Sequence, residues 1–149
     1  MLKIKTLIFF IIFTNTTSFA LDGLVKIKSN HSVKQTTTNL VNILEKKGMT
    51  IFSIIDHKKG AKKAGIELRP TTVVIFGNPK VGTPLMLCEQ SVAIDLPQKV
   101  LIYKDESSNV WFTYNNPNYI KQRHQIKECT KVLTKISHAL ANFAKAATD

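Results

Sequence analysis

No apolar run in this chain reaches the roughly 18 residues that suggest a membrane span; the LIFFIIF run at residues 7–13 falls far short of it. Acidic residues are scarce, with 10 Asp and Glu against 21 Lys and Arg, a formal net charge of +11. That balance favours polyanions, anionic surfaces or anionic ligands through long-range attraction. The two cysteines stand far apart, without the paired short spacings of a zinc site and without a Cys-x-x-Cys redox pair. Also missing are the nucleophile elbow G-x-S-x-G, the zinc motif H-E-x-x-H and the phosphate loop G-x-x-x-x-G-K-[ST]. The chain carries no known catalytic signature, and no metal or cofactor is expected.

What is present begins with an address. Lys3 and Lys5 precede the apolar run, and residues 14–20 form a small, polar tail with Ser18 and Ala20 at the −3 and −1 positions of a cleavage site. This pattern predicts a signal peptide over residues 1–20, cut before Leu21, and export to the periplasm or the exterior. No cysteine follows Ala20 to take a lipid anchor. Residues 21–149 suffice for a single domain with one core. Export makes a nucleic-acid partner unexpected, and the basic residues are scattered rather than blocked together. An oxidising compartment permits a disulfide between Cys88 and Cys129; two buried free thiols are the alternative.

Along the mature chain, LVKIKS (24–29) alternates apolar and polar residues as a half-buried strand does. Ser32, with Gln35 three residues on, predicts a capping box. The helix it opens carries Val33, Thr37, Leu40, Val41 and Leu44 on one side and stops at Gly48. Residues 50–55 read as a second strand, 61–64 as a single helical turn, and the β-branched run 71–76 as a central third strand. The stretch 78–98, with Pro79, Pro84 and Pro97, reads as a long irregular loop. Residues 100–104 and 110–114 flank a turn at 105–109 as a hairpin. Pro117 starts a short helix through Arg123 and His124. It leads into a longer one striped by Ile126, Cys129, Val132, Leu133, Ile136, Leu140 and Phe143. The order β-α-β-β-β-β-α, without repeats, predicts an α+β domain: a mainly antiparallel sheet with helices packed on one face.

Several segments together resemble the family called domain of unknown function 302. They are Asp56-His57 with Gly60-Ala61 and Ala64-Gly65, Leu68-Arg69-Pro70, Phe76-Gly77-Asn78-Pro79-Lys80 with Gly82-Thr83-Pro84, Asp95-Leu96-Pro97, Tyr114-Asn115 and Arg123-His124. The resemblance implies a fold similar to the TATA-box-binding-protein type and suggests a homodimer. It brings no established reaction. Cys88-Glu89-Gln90 and the lysine-heavy 58–63 depart from the family pattern.

A meander places the end of the third strand, the start of the fourth and the end of the fifth at one rim of the sheet. Asn78, Lys80, Asp95 and Tyr114 are expected there. The Asn78 amide can donate and accept, Lys80 can hold an anion, and Gly82 and Thr83 can offer backbone N–H groups as an anion nest. The bland alternative is a turn in which Asn78 caps its own backbone while Asp95 ties down the loop. His57 and Arg69 are expected nearer the opposite rim. His124 reads as a hydrogen-bonding anchor at a helix junction. Of Trp111 and Phe112, one faces the helices and the other the open sheet, where an aromatic suits a dimer interface or, alternatively, a ligand.

The leading expectation is an exported, non-enzymatic homodimer binding a small anionic or polar ligand. The candidate binding residues are Asn78, Lys80, Thr83, Asp95, Tyr114, His57, Arg69 and His124. The alternatives are an enzyme using His57 as general base, and a basic module for an acidic partner or surface polymer.

Overall fold

Alternation decides the first strand: in β1 (Leu24–Ser29) Val25, Ile27 and Ser29 turn inward while Leu24, Lys26 and Lys28 turn out. The computed structural model describes residues 23–149, so the expected signal peptide lies outside the described residues. Helix α1 (Val33–Lys46) starts where the Ser32 hydroxyl accepts the Gln35 N–H at 3.2 Å. Only half of the expected capping box forms, because the Gln35 amide reaches Asn39 instead. β2 (Thr50–Asp56) follows Gly48, whose φ of +65° suits a residue without Cβ.

Asp56 caps α2 (His57–Lys63) by accepting the Lys59 N–H at 2.9 Å, so two turns stand where one was expected. β3 (Thr71–Gly77) leads into α3 (Pro79–Cys88) and a 3₁₀ segment (Gln90–Asp95). β4 (Gln98–Lys104), β5 (Val110–Asn115), α4 (Pro117–Arg123) and α5 (Thr130–Thr148) complete the chain.

The sheet order is β1-β5-β4-β3-β2, with every pairing antiparallel. β1 and β2 are its two edges, so α1 crosses the whole sheet, and α5 packs beside it on the same face. The core lies between: Leu40 and Leu44 of α1 and Leu140 and Phe143 of α5 meet Val74, Phe76, Val100, Ile102 and Phe112. Each such side chain stabilises the fold by about 1.5–3 kcal/mol relative to its exposure. The Phe76 and Phe143 rings meet edge-to-face at 6.0 Å.

The stretch 78–98 is not irregular. Asn78 supplies an N-cap and Pro79 takes the first helical position, where its missing N–H costs nothing. Pro84 sits inside α3. The C-terminal helix begins at Thr130 rather than Ile126, with Cys129 as its N-cap at a φ of 61°. Its buried stripe is Leu133, Ile136, Leu140 and Phe143.

The outward face carries no helix among the described residues. Trp111 pairs with Tyr103 and Lys28 across it, and the Lys26 ammonium lies 5.2 Å from the Trp111 ring centroid. The turn between β4 and β5 is organised by Asp105. Its carboxylate accepts the Asn109 N–H at 2.8 Å and the Trp111 indole N–H at 2.7 Å. The indole bond above all holds the Asp105 carboxyl below its ordinary pKa; burial opposes it, and weaker bonds from the Asn109 backbone and amide add to the lowering.

Candidate functional site

The antiparallel register brings Thr50, Gly77, Gln98 and Asn115 to one rim of the sheet. Two features occupy that end of the molecule.

The first is a cavity of about 460 Å³ between the rim, α3 and α5. Phe76 belongs to its floor, Val81 and Met86 come from α3, and Ile136, Ala139 and Phe143 come from α5. Its polar side chains are Asn78, Thr83, Gln98 and Lys135. A bulge in β2 leaves Phe52 out of register between Ile51 and Ser53, and its side chain is 56% exposed at the cavity. The Phe52 ring lies against Gly77, where an added Cβ would sit 3.3 Å from Cε2. Glycine here lets an edge-strand aromatic close over the strand end.

The local chemistry around Asn78 is capping. Its Oδ1 accepts the Lys80 N–H at 2.9 Å, and its Nδ2 donates to the Gly48 carbonyl at 3.4 Å. The anion nest expected at Gly82 and Thr83 does not form, because the Gly82 N–H donates to the Asn78 carbonyl within α3. Thr83 lines the cavity; Lys80 is exposed and does not. Lys135 has no carboxylate partner among the described residues.

The second feature is a polar chain where the 3₁₀ segment meets α4. Asp95 Oδ1 accepts from Arg123 Nη1 at 3.0 Å, and Asp95 Oδ2 lies 2.6 Å from His124 Nε2. The other ring nitrogen, His124 Nδ1, is 2.8 Å from the Ser91 hydroxyl. The His124 side chain is 6% exposed and that of Asp95 11%, while Ser91 is exposed. Ser91 also donates its N–H to Glu89 at 3.0 Å. Beside this chain Cys88 and Cys129 are joined in a disulfide, tying the end of α3 to the start of α5.

The residues singled out from the sequence thus divide. Asn78 and Thr83 reach the cavity, and Asp95 and His124 build the polar chain. Tyr114 does neither: it pairs with Val100, shares the inward face of Phe112 and is 5% exposed. Burial raises its hydroxyl pKa. His57 and Arg69 lie at the opposite rim. His57 is exposed and has no hydrogen-bond partner among the described residues, while Arg69 pairs with Glu106 at 3.3 Å on the surface. A base at His57 working with Lys80 finds no support in this arrangement.

Gln98, Lys135 and Ser91 were not singled out from the sequence. Lys135 is a charge on a helix already read as amphipathic, and Ser91 is one serine in a stretch read as loop. Neither carries a signal of its own.

A five-stranded antiparallel α+β domain with these motifs defines a family. The chain belongs to the domain of unknown function DUF302 family, whose profile matches residues 25–143. It is also 42% identical over 104 residues to "Fluoride-specific ion channel FluC 1" of Brucella suis biovar 1 (strain 1330), a match covering 70% of this chain and 41% of that protein. "Fluoride-specific ion channel FluC 2" of Brucella melitensis biotype 1 matches at the same identity and length, with 38% of its own length covered. The chain spans about two fifths of the length of the curated relatives it matches. The fold is similar to the crystal structure of an uncharacterized conserved protein DUF302 from Bacillus stearothermophilus. That likeness has a TM-score of 0.77 and 13% identity, over 85% of this chain and 99% of the other. No helix among the described residues is long and apolar enough to cross a membrane.

Proposed function

We propose that this domain binds a small, mainly apolar molecule with one anionic end in the cavity between α3 and α5. The observation that carries the reading is the cavity itself: about 460 Å³, mostly apolar, with Lys135 as the cation on its lining. Small-molecule sites typically have this size and this pairing of apolar walls with few polar groups. The sequence leads to a small anionic or polar ligand; the apolar walls favour instead an apolar body and leave charge recognition to one edge. The leader pattern in residues 1–20 and the Cys88–Cys129 disulfide support an exported setting. The helix-free sheet face, with Trp111, Tyr103, Leu101, Val73 and Ile75, supports pairing of two copies through that face.

Calorimetric titration with decanoate and with decanol tests the ligand class. Decanoate is expected to bind, and Ala139→Trp, which fills the cavity from α5, to abolish binding while the protein stays folded. No heat and no thermal shift with decanoate or other medium-chain carboxylates would overturn the reading.

A second reading rests on the relatives. Their names say fluoride channel, and the match to them is 42% over 104 residues. In this reading the domain serves as the companion part of such a channel. Deleting the gene in its host is then expected to lower survival in fluoride, and unchanged survival would remove this reading.

A further inference from the structure

We propose that Ser91, His124 and Asp95 form a nucleophilic centre that hydrolyses small carboxylic esters, separate from the cavity and independent of what the cavity binds. The three groups are joined end to end. The Ser91 hydroxyl is 2.8 Å from His124 Nδ1, and His124 Nε2 is 2.6 Å from Asp95 Oδ2. Such a chain works when the carboxylate accepts one ring N–H and thereby leaves the other nitrogen to take the hydroxyl proton. Here the serine meets Nδ1 and the carboxylate meets Nε2, the reverse of the familiar serine-protease arrangement, with the same division of roles.

Burial sorts the three groups as the chemistry requires. The imidazole and carboxylate are nearly enclosed, which fixes their orientation, while Ser91 is exposed to an arriving substrate. Arg123 clamps the second oxygen of Asp95 at 3.0 Å, holding the carboxylate in place. The groove of about 670 Å³ in front of Ser91 is lined by Arg123, His124 and Lys127 as well as Glu89 and Glu128. The Arg123 side chain is 47% exposed and lines the same groove as Ser91, so guanidinium N–H groups not used on Asp95 are free to serve the oxyanion of a reacting carbonyl.

In the reaction Ser91 Oγ attacks the ester carbonyl carbon as its proton passes to His124 Nδ1. The bond to the leaving alkoxide breaks and His124 returns the proton to it, releasing the alcohol and leaving an acyl-serine. Water then attacks the acyl carbon, giving its proton to Nδ1. The acyl–Oγ bond breaks, and Ser91 recovers the proton as the acid departs. The Nε2 proton stays on the ring throughout, shared with Asp95. The groups facing His124 are Asp95 and Ser91 from the 3₁₀ segment and Arg123 from α4, with Glu89 acting on it through space.

The test is covalent capture. Disulfide-bonded protein is treated with diisopropyl fluorophosphate, which forms an O–P bond to an activated serine and loses fluoride from phosphorus with the serine proton. Peptide mapping is expected to place the adduct on Ser91. His124→Gln is expected to slow labelling by roughly a hundredfold or more. Hydrolysis of p-nitrophenyl acetate is expected to fall to the buffer rate in Ser91→Ala, whose exposed side chain adds little to packing and whose fold is checked by circular dichroism. An unmodified Ser91 in the folded protein after prolonged exposure to excess reagent overturns the proposal. So does an adduct on other residues alone, or p-nitrophenyl acetate turnover that Ser91→Ala leaves intact.

Discussion

His124 Nε2 lies 2.6 Å from Asp95 Oδ2, and that contact joins residues 29 positions apart in the chain. It fastens the 3₁₀ segment, which follows the cavity wall α3, to the end of α4. Asp95→Ala removes the acceptor from both His124 and Arg123 and leaves a buried ring nitrogen unpartnered. The expected loss is about 3 kcal/mol, read as a lower urea midpoint at unchanged slope. A change below about 0.5 kcal/mol, the ordinary effect of a surface substitution, would show that the contact does not hold the junction.

Lys135 is the cavity's cation, so charge recognition should be separable from apolar filling. Lys135→Met is expected to weaken decanoate binding roughly tenfold, about 1.4 kcal/mol, and to leave decanol binding within error. Equal losses for both ligands would place the anionic end elsewhere.

Asp105 predicts a pH dependence of known sign. Its folded-state pKa is depressed, chiefly by the Trp111 indole, so it contributes stability above its unfolded value of about 3.9 and loses that contribution as pH falls through the folded value. Asp105→Asn should therefore melt lower than the parent at neutral pH, and the two melting curves should converge as pH drops below about 4. A gap in melting temperature that stays constant down to strong acid would contradict this.

Thr113 lies on the outward side of β5, 3% exposed, and its hydroxyl has no hydrogen-bond partner among the described residues. Thr113→Val keeps the shape and removes an unsatisfied polar group. It is expected to stabilise the protein by about 1 kcal/mol, visible as a raised melting temperature. Destabilisation would mean that the hydroxyl finds a partner in solution.

Strand alternation and the capping residues made most of the fold legible. The inward set of β5 follows from parity: once Phe112 points to the helices, Val110 and Tyr114 must as well. Tyr114 stands at a strand end, which suggests a ligand contact, but the alternation places it inward with Phe112 and buries it. Stretch 78–98 misled for a different reason. Gly82 and Pro84 are breakers in isolation, but Asn78 and Pro79 begin a helix so favourably that α3 forms around them. Asp95 and His124 could be named separately from the sequence, and their contact could not. Nothing local marks a pairing between a 3₁₀ end and a helix end, and Ser91 entered only with the geometry.

The Cys88–Cys129 bond closes a covalent ring around β4, β5 and α4. A protease that cuts once in the turn between Asp105 and Asn109 opens that ring without dividing the molecule. Both fragments stay bonded, and each still contributes strands to the same sheet. The exposed turn in this span is thus one whose cleavage releases nothing.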